Sequence, residues 1–198
     1  MKVTLEFLQI FVFVIVMLCW FAFAGIIVFR QKLPKAPDQK RDRSSIVGLA
    51  LQGFSYAIVR AAYRQPFTAI VSGAQWLEVL IAMITVTVAI GSVILIMAAV
   101  KTLGKEWSIT ARMVENHQLA QEGPYALVRH PIYTGMLGML IATGLAISDW
   151  IALFAAIVVF AIGTWIRVRI EERLLRETFG QRFEEYAREV PAVIPGIF

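Results

Sequence analysis

The stretch "LQIFVFVIVMLCWFAFAGIIVF", residues 8–29, decides the fold class. It holds no charged side chain, and at ~1.5 Å per helical residue it is long enough to cross the ~30 Å hydrocarbon layer of a bilayer. The whole chain agrees, because 59% of its residues are hydrophobic and 17% are charged. A soluble domain carries roughly 25% charged residues. We therefore predict an all-α integral membrane protein.

Four further apolar segments give about five transmembrane helices in total. They are residues 44–59, 76–100, 132–147 and 151–166. A serine cap at Ser44 and a stop at Phe179-Gly180 are expected at helix ends. The last helical pattern continues beyond the apolar segment to Leu175, and residues 181–190 form a short amphipathic piece. Glycines in the fourth segment permit close contact between helices.

Charge predicts the topology. Sixteen of the 19 lysines and arginines fall in residues 30–43, 101–129 and 167–188. The other three, Lys2, Arg60 and Arg64, lie on the opposite side of the predicted membrane. Since basic residues concentrate on the cytoplasmic side, we expect the N-terminus outside and the C-terminus inside. The net charge of +5 is thus explained by membrane topology and membrane lipids, without a nucleic-acid partner.

A polar cassette, "EGPYALVRHPIYTG" at residues 122–135, lies at the start of the fourth apolar segment. Gly123-Pro124 indicates a turn, and His130 precedes a proline, which disfavours helical geometry at that residue. Pro131 then opens the helix, whose first N–H groups and partial positive charge lie at the membrane surface. His130 and Tyr133 can therefore line a pocket there, although either alone is also typical of an interfacial anchor.

A second polar group, "RVRIEERLL" at residues 167–175, follows the fifth apolar segment directly. Arg167 and Glu171 are four residues apart and share a helix face. A surface ion pair is one explanation, but an arginine at the headgroup boundary usually has a partner or a ligand. No metal site is expected, since His117, His130 and Cys19 lack a carboxylate at ligand spacing. The nucleotide-binding and nucleophile-elbow motifs are also missing from the sequence.

The segments "HQLAQEGPYALVRHPIYTG" and "FGQRFEEYAREVPAVIP", with the charged group between them, resemble the isoprenylcysteine carboxyl methyltransferase family and its phospholipid methyltransferase relatives. The resemblance covers about residues 102–195. It implies a membrane enzyme that transfers the methyl group of S-adenosyl-L-methionine to a lipid-like acceptor entering from the bilayer. It also implies two parts, residues 1–100 with three spans and residues 101–198 with the catalytic region, two spans and the tail.

The same resemblance implies the site residues. Arg167 would meet the substrate carboxylate and is the candidate catalytic residue. Glu171 would hold the cofactor at its ammonium group. The other implied cofactor-binding residues are His117, Gln118, Leu119, Ala120, Tyr125, His130, Pro131, Ile132 and Tyr133. The pocket they form would lie on the cytoplasmic side, within the C-terminal half.

Physical chemistry agrees with this reaction. A sulfonium methyl group is electrophilic enough for a carboxylate to attack it without a general base, so positioning and desolvation would carry catalysis. Other acceptors stay open, namely a thiol, an amine or a phospholipid headgroup. Two alternatives lie outside methyl transfer: a sterol-type membrane reductase that uses NADPH, and a non-catalytic membrane scaffold. We also expect residues 181–190 to help close the pocket.

Overall fold

A computed structural model describes residues 2–32, 38–64, 75–109, 111–114 and 118–196. All five predicted apolar segments are helices: α1 (Lys2–Lys32), α2 (Ser45–Ala61), α3 (Gln75–Leu103), α4 (Pro131–Ile147) and α5 (Trp150–Phe179). A sixth, α6 (Gln181–Glu189), is the predicted amphipathic piece. Three spans, Glu6–Arg30, Gln75–Glu106 and Trp150–Phe179, are long and apolar enough to cross a membrane. The apolar helices α2 and α4 are shorter, at 17 residues each, which is near the lower limit for a span.

Glycines on α4 bring α3 and α4 together. A Cβ atom at Gly138 would lie 2.1 Å from Ser92 Oγ, and one at Gly135 would lie 2.5 Å from Ile96 Cγ1. Both helices therefore approach more closely than any larger side chain on α4 would allow. Gly144 faces Leu153 of α5 in the same way. The contact role predicted for these glycines is confirmed.

The fold includes one small sheet that the sequence did not indicate. Strand β1 (Asp38–Arg41) pairs antiparallel with β2 (Arg112–Val114). The sheet joins the polar segment after α1 to the polar segment after α3. Arg173 of α5 adds an ion pair to Asp42 at the same place. The two basic segments and the end of α5 therefore meet at one end of the bundle.

Helix ends follow the predictions in part. The pattern beyond residue 166 continues in α5 without a break to Phe179, and Gly180 ends the helix at φ +53°, a value that favours glycine. The predicted serine cap at α2 is wrong: the Ser44 side chain makes no capping hydrogen bond, and both its hydroxyl and its backbone N–H donate to Asp42 instead. At α5, Asp149 caps the helix by accepting from the Ala152 N–H at 2.8 Å.

Candidate active site

The cassette begins with a turn that buries Tyr125. Gly123 has φ +59°, a left-handed value that suits glycine, and residues Gly123–Ala126 form one 3-10 turn. Burial, with the nearby Glu171 charge, raises the pKa of the Tyr125 hydroxyl above its ordinary value. The phenol therefore stays neutral and keeps its proton for donation. His130 is not helical, at φ −126° and ψ 61°, and α4 starts at Pro131 as predicted.

The C-terminal tail holds the cassette in place. The backbone N–H groups of Arg129 and His130 donate to the carbonyls of Pro191 and Ala192, at 2.8 and 2.9 Å. From α6, the Tyr186 hydroxyl donates to the Tyr125 carbonyl at 2.6 Å. These bonds fix a loop that has little regular structure of its own, so the position of His130 depends on residues some sixty positions later in the chain.

His130 lies between two consecutive carboxylates of α5. Its Nδ1 is 3.4 Å from Glu171 Oε2, and its Nε2 is 3.4 Å from Glu172 Oε1. The ring is stacked on Tyr133, with centroids 5.5 Å apart. Burial alone would lower the pKa of the imidazole, but the two carboxylates outweigh burial and raise it above the ordinary value. The charged imidazolium is thus favoured in the folded protein.

The two carboxylates have different surroundings. Glu172 is engaged on both oxygens: Arg129 Nε donates to Oε1 at 2.9 Å, and Arg176 lies 3.1 Å from Oε2. Glu171 faces the interior cavity described below, and 23% of its side chain is exposed. Its neighbours are His130, Arg167 and the Tyr133 hydroxyl, which donates to it. Both carboxylates are therefore paired, but Glu171 lines the cavity whereas Glu172 is not among its described lining residues.

Arg167 is held from two sides of the cavity. Its Nη1 donates to Gln52 Oε1 of α2 at 3.2 Å, and its Nη2 donates to the Ile109 carbonyl. The same Nη2 lies 3.6 Å from Glu171 Oε1, and the guanidinium lies 4.9 Å from the centre of the Tyr133 ring. The buried Nε–H has no hydrogen-bond acceptor within the described part of the chain. An added anion at this position would satisfy it.

Room for the Arg167 side chain comes from glycines. A Cβ atom at Gly48 of α2 would lie 2.5 Å from Arg167 Cγ and 2.6 Å from the Gly163 carbonyl. A Cβ atom at Gly163 of α5 would lie 2.7 Å from the Gly48 carbonyl. Since neither position tolerates a side chain without movement of backbone, the close crossing of α2 and α5 sets where the guanidinium lies.

These groups surround one cavity of about 390 Å³, within the ~300–1,000 Å³ range of small-molecule sites. Six of the residues expected in the site line this cavity: the polar Tyr125, His130, Tyr133, Arg167 and Glu171 at one end, and Ile132, which packs against the apolar cluster of Ile96 and Val100. The opposite wall is apolar and comes from α1, α2 and α3. That wall includes Phe23, Ile27, Leu49, Ile96 and Val100. The cavity thus combines a charged end with a hydrocarbon-like wall.

Of the remaining predicted residues, four are described but do not line this cavity, and one lies outside the described residues. Pro131 is buried at the first position of α4. Gln118 is exposed and its backbone N–H donates to Glu106 Oε1 at 3.0 Å, while Leu119 and Ala120 are half-buried. None of these four is among the cavity-lining residues described. His117 lies outside the described residues, so its role stays a prediction.

Sequence reasoning missed three residues that build the site: Gln52, Arg129 and Glu172. A signal existed for Gln52, since it is the polar amide within an otherwise apolar span, and such residues usually have a specific partner. Gln52 is fully buried, and its Nε2 donates to Thr164 Oγ1 at 2.9 Å while its oxygen accepts from Arg167. The sequence did distinguish Glu171, which shares a helix face with Arg167, but it did not indicate that Glu172 would pair with Arg129, Arg176 and His130, because those partners depend on which segments pack against α5.

Comparisons with known proteins show which families this chain is similar to. The family profile described as phospholipid methyltransferase matches residues 77–182. The chain is 34% identical over 103 residues to protein-S-isoprenylcysteine O-methyltransferase B of Arabidopsis thaliana, covering 49% of this chain and 50% of that protein. It is also 37% identical over 102 residues to the cobalt-zinc-cadmium resistance protein CzcN of Cupriavidus metallidurans, a match that covers 48% of this chain and 44% of that protein. The chain spans about half the length of the curated relatives it matches.

A solved structure shares the fold. It is that of the eukaryotic intramembrane Ras methyltransferase ICMT, an isoprenylcysteine carboxyl methyltransferase, with a TM-score of 0.55 and 22% identity. The match covers 77% of this chain and 52% of that one. The likeness therefore shows a shared fold over 77% of this chain.

Proposed function

The chain belongs to the phospholipid methyltransferase family, and from this premise we propose that it is a membrane methyltransferase. Its cofactor would be S-adenosyl-L-methionine and its acceptor a lipid-like molecule, in the first place a carboxylate. One observation carries the proposal: Glu171, His130, Tyr133 and Arg167 converge at the charged end of a cavity whose other wall is apolar. Such a cavity can hold a charged cofactor and an apolar acceptor together.

The groups present fit this cofactor. The Glu171 carboxylate faces the cavity and can bind an ammonium group. The start of α4, with its partial positive charge, suits a carboxylate. The Tyr125 hydroxyl, buried and neutral, is a further donor. When bound, S-adenosyl-L-methionine supplies an electrophilic sulfonium methyl group that a carboxylate can attack without a general base.

Arg167 is the proposed substrate-binding residue. Its guanidinium is fixed by Gln52, Ile109 and the Tyr133 ring, and the unsatisfied buried Nε–H can donate to an acceptor carboxylate. Fixing the guanidinium beforehand lowers the entropy that must be lost when the acceptor is oriented. The apolar wall would exclude water and bind the lipid part of the acceptor.

Topology and closure of the site form part of the proposal. The end of the bundle that carries the two basic segments would face the cytoplasm, because basic residues favour that side. The bonds from Tyr186, Pro191 and Ala192 to the cassette support closure of the pocket by α6 and the tail. Protease cleavage within residues 181–195 should slow when S-adenosylhomocysteine is added, and an unchanged rate would argue against closure.

The activity is tested by methyl transfer in proteoliposomes. Purified protein is incubated with methyl-labelled S-adenosyl-L-methionine and S-farnesylcysteine, and the product is analysed by mass spectrometry. We expect a labelled methyl ester that alkali hydrolyses, and no product from the matched carboxamide. A labelled lipid headgroup would show instead that the acceptor is a phospholipid and not a carboxylate. Thermal stabilisation by NADPH and not by S-adenosylhomocysteine would overturn the proposal in favour of a reductase.

A further inference from the structure

A second cavity, of about 680 Å³, lies at the opposite end of the bundle. It is a groove between α1 and α2, floored by the last turns of α4, and it uses the halves of these helices that the candidate active site does not. The described lining residues of the two cavities do not overlap. Along α1 the groove runs from Gln9 to Trp20, a distance of ~16 Å at ~1.5 Å per residue.

Aromatic rings close the inner end of the groove. The Trp20 and Tyr56 rings meet edge to face, with centroids 5.1 Å apart. The Trp20 indole N–H donates to Thr143 Oγ1 at 3.0 Å, and the Tyr56 hydroxyl donates to the Met136 carbonyl at 2.6 Å. Since the protein already satisfies both polar groups, the rings offer the groove an apolar surface.

The mouth of the groove carries two arginines in different surroundings. The carboxylates of Glu78 and Asp149 compensate the charge of Arg64. The Arg64 backbone N–H donates to the Ile147 carbonyl at 2.7 Å, and its Nη2 donates to the Leu145 carbonyl at 2.9 Å. One turn earlier on α2, Arg60 is exposed, and its guanidinium lies 5.4 Å from the centre of the Tyr63 ring. Two arginines therefore lie at a fixed opening that leads to apolar rings.

This arrangement fits an amphipathic anion. Arginine and tyrosine at a helix end are also typical of a simple interfacial belt, but a belt requires no groove behind it. A groove of this depth takes an acyl chain, and the exposed Arg60 guanidinium at its mouth attracts a phosphate. We propose that the groove binds one anionic phospholipid, with an acyl chain against Trp20 and Tyr56 and its phosphate at Arg60. The proposal is independent of methyl transfer.

Native mass spectrometry of the detergent-purified protein tests this binding directly. Phosphatidylglycerol is titrated in parallel with phosphatidylcholine of the same acyl chains, and we expect one tightly retained phosphatidylglycerol. Arg60→Gln should weaken that binding about fivefold, the effect of removing one basic group near a headgroup. Arg169→Gln is the matched control, because Arg169 is also exposed and lies 5.3 Å from an aromatic ring, that of Trp165, outside the groove.

A second variant tests the acyl-chain position. Ala146→Trp places a large side chain in the groove and should abolish retention of phosphatidylglycerol while the far-ultraviolet circular dichroism spectrum stays that of the wild type. If that variant does not fold, the Arg60→Gln comparison decides. Equal affinity for the two lipids, or equal losses in Arg60→Gln and Arg169→Gln, would overturn the proposal. Displacement of the lipid by millimolar inorganic phosphate would also overturn it, since the site would then bind a soluble anion.

Discussion

The two walls of the active-site cavity differ in the chemistry of their side chains. The wall from the cassette and α5 is a network of buried charges, in which His130, Arg167 and two glutamates compensate one another. The wall from α1, α2 and α3 is lined by apolar side chains. From α2, Gln52 accepts a hydrogen bond from Arg167. The difference indicates that the C-terminal half supplies the charged groups, while the N-terminal half supplies the apolar surface and fixes the orientation of one of them.

Loss of the cavity-facing carboxylate should have the largest effect. Glu171→Ala removes the group proposed to bind the cofactor ammonium and leaves Arg167 and His130 without their shared partner. We expect the affinity for S-adenosylhomocysteine to fall about 300-fold, the middle of the roughly 2–5 kcal/mol cost of removing one member of a buried charge pair. Isothermal titration calorimetry measures this, with the exposed Glu185→Ala as control. Wild-type affinity would remove Glu171 from the site.

Arg167→Ala should slow turnover more than it weakens cofactor binding. The guanidinium is proposed to orient the acceptor, so kcat with a carboxylate acceptor should fall about 100-fold, the scale of a lost positioning contact. The measurement is initial rate at saturating cofactor, with Arg169→Ala as the exposed control on the same helix. A wild-type rate would show that the acceptor is oriented by other groups.

Gln52→Leu tests whether a residue of α2 orients the Arg167 side chain on the charged wall. The substitution keeps the volume of the side chain but leaves Arg167 Nη1 and Thr164 Oγ1 without their partner. We expect kcat to fall about tenfold, the value of one hydrogen bond to a charged group, with little change in cofactor affinity.

Two further variants on α2 sharpen this comparison. Gln52→Glu keeps an acceptor for Arg167 and should recover part of the lost rate. Gly53→Ala has space around its added Cβ and should behave as wild type. Equal losses of cofactor affinity and rate in Gln52→Leu would indicate general damage to the fold rather than loss of orientation.

Glu172→Gln should lower stability and leave ligand binding nearly unchanged. Its carboxylate joins Arg129, Arg176 and His130 between α5 and the cassette. Removing one charge of a buried pair lowers the free energy of unfolding by about 3–5 kcal/mol. Hydrogen bonds made by the new amide would recover part of that loss. The melting temperature should therefore fall by several degrees, measured by circular dichroism, while the affinity for S-adenosylhomocysteine stays near that of wild type. A large loss of affinity without destabilisation would contradict this assignment.

The smallest effect is a pH dependence of stability. Because the pKa of His130 is raised in the folded protein, its contribution is complete below the unfolded-state pKa of about 6.5 and is lost as pH rises through the folded pKa. The melting temperature should thus decline as pH increases above about 6.5 in the wild type, and decline less in His130→Gln. If the melting temperatures of the two proteins changed with pH in parallel, protonation of His130 would not be the cause of the decline.

Much of the site was predictable because its residues are close in sequence. His130 and Tyr133 lie within one helical turn, as do Arg167 and Glu171, so helix geometry alone places each pair on one face. That the two pairs face each other was implied only by family resemblance. The contact itself depends on the packing of α4 against α5, which brings Tyr133 and Glu171, 38 positions apart, within hydrogen-bonding distance.

By itself the sequence determined the membrane class, the five apolar helices, the break at His130-Pro131 and the end of α5 at Gly180. These features follow from local hydropathy and backbone preference, which act over a few residues. Only the tertiary structure decided that Glu172 pairs with Arg129 and His130, that Gln52 holds Arg167, and that the tail fixes the cassette. Those outcomes depend on contacts between distant segments, where burial makes each charge require a partner that no local pattern specifies.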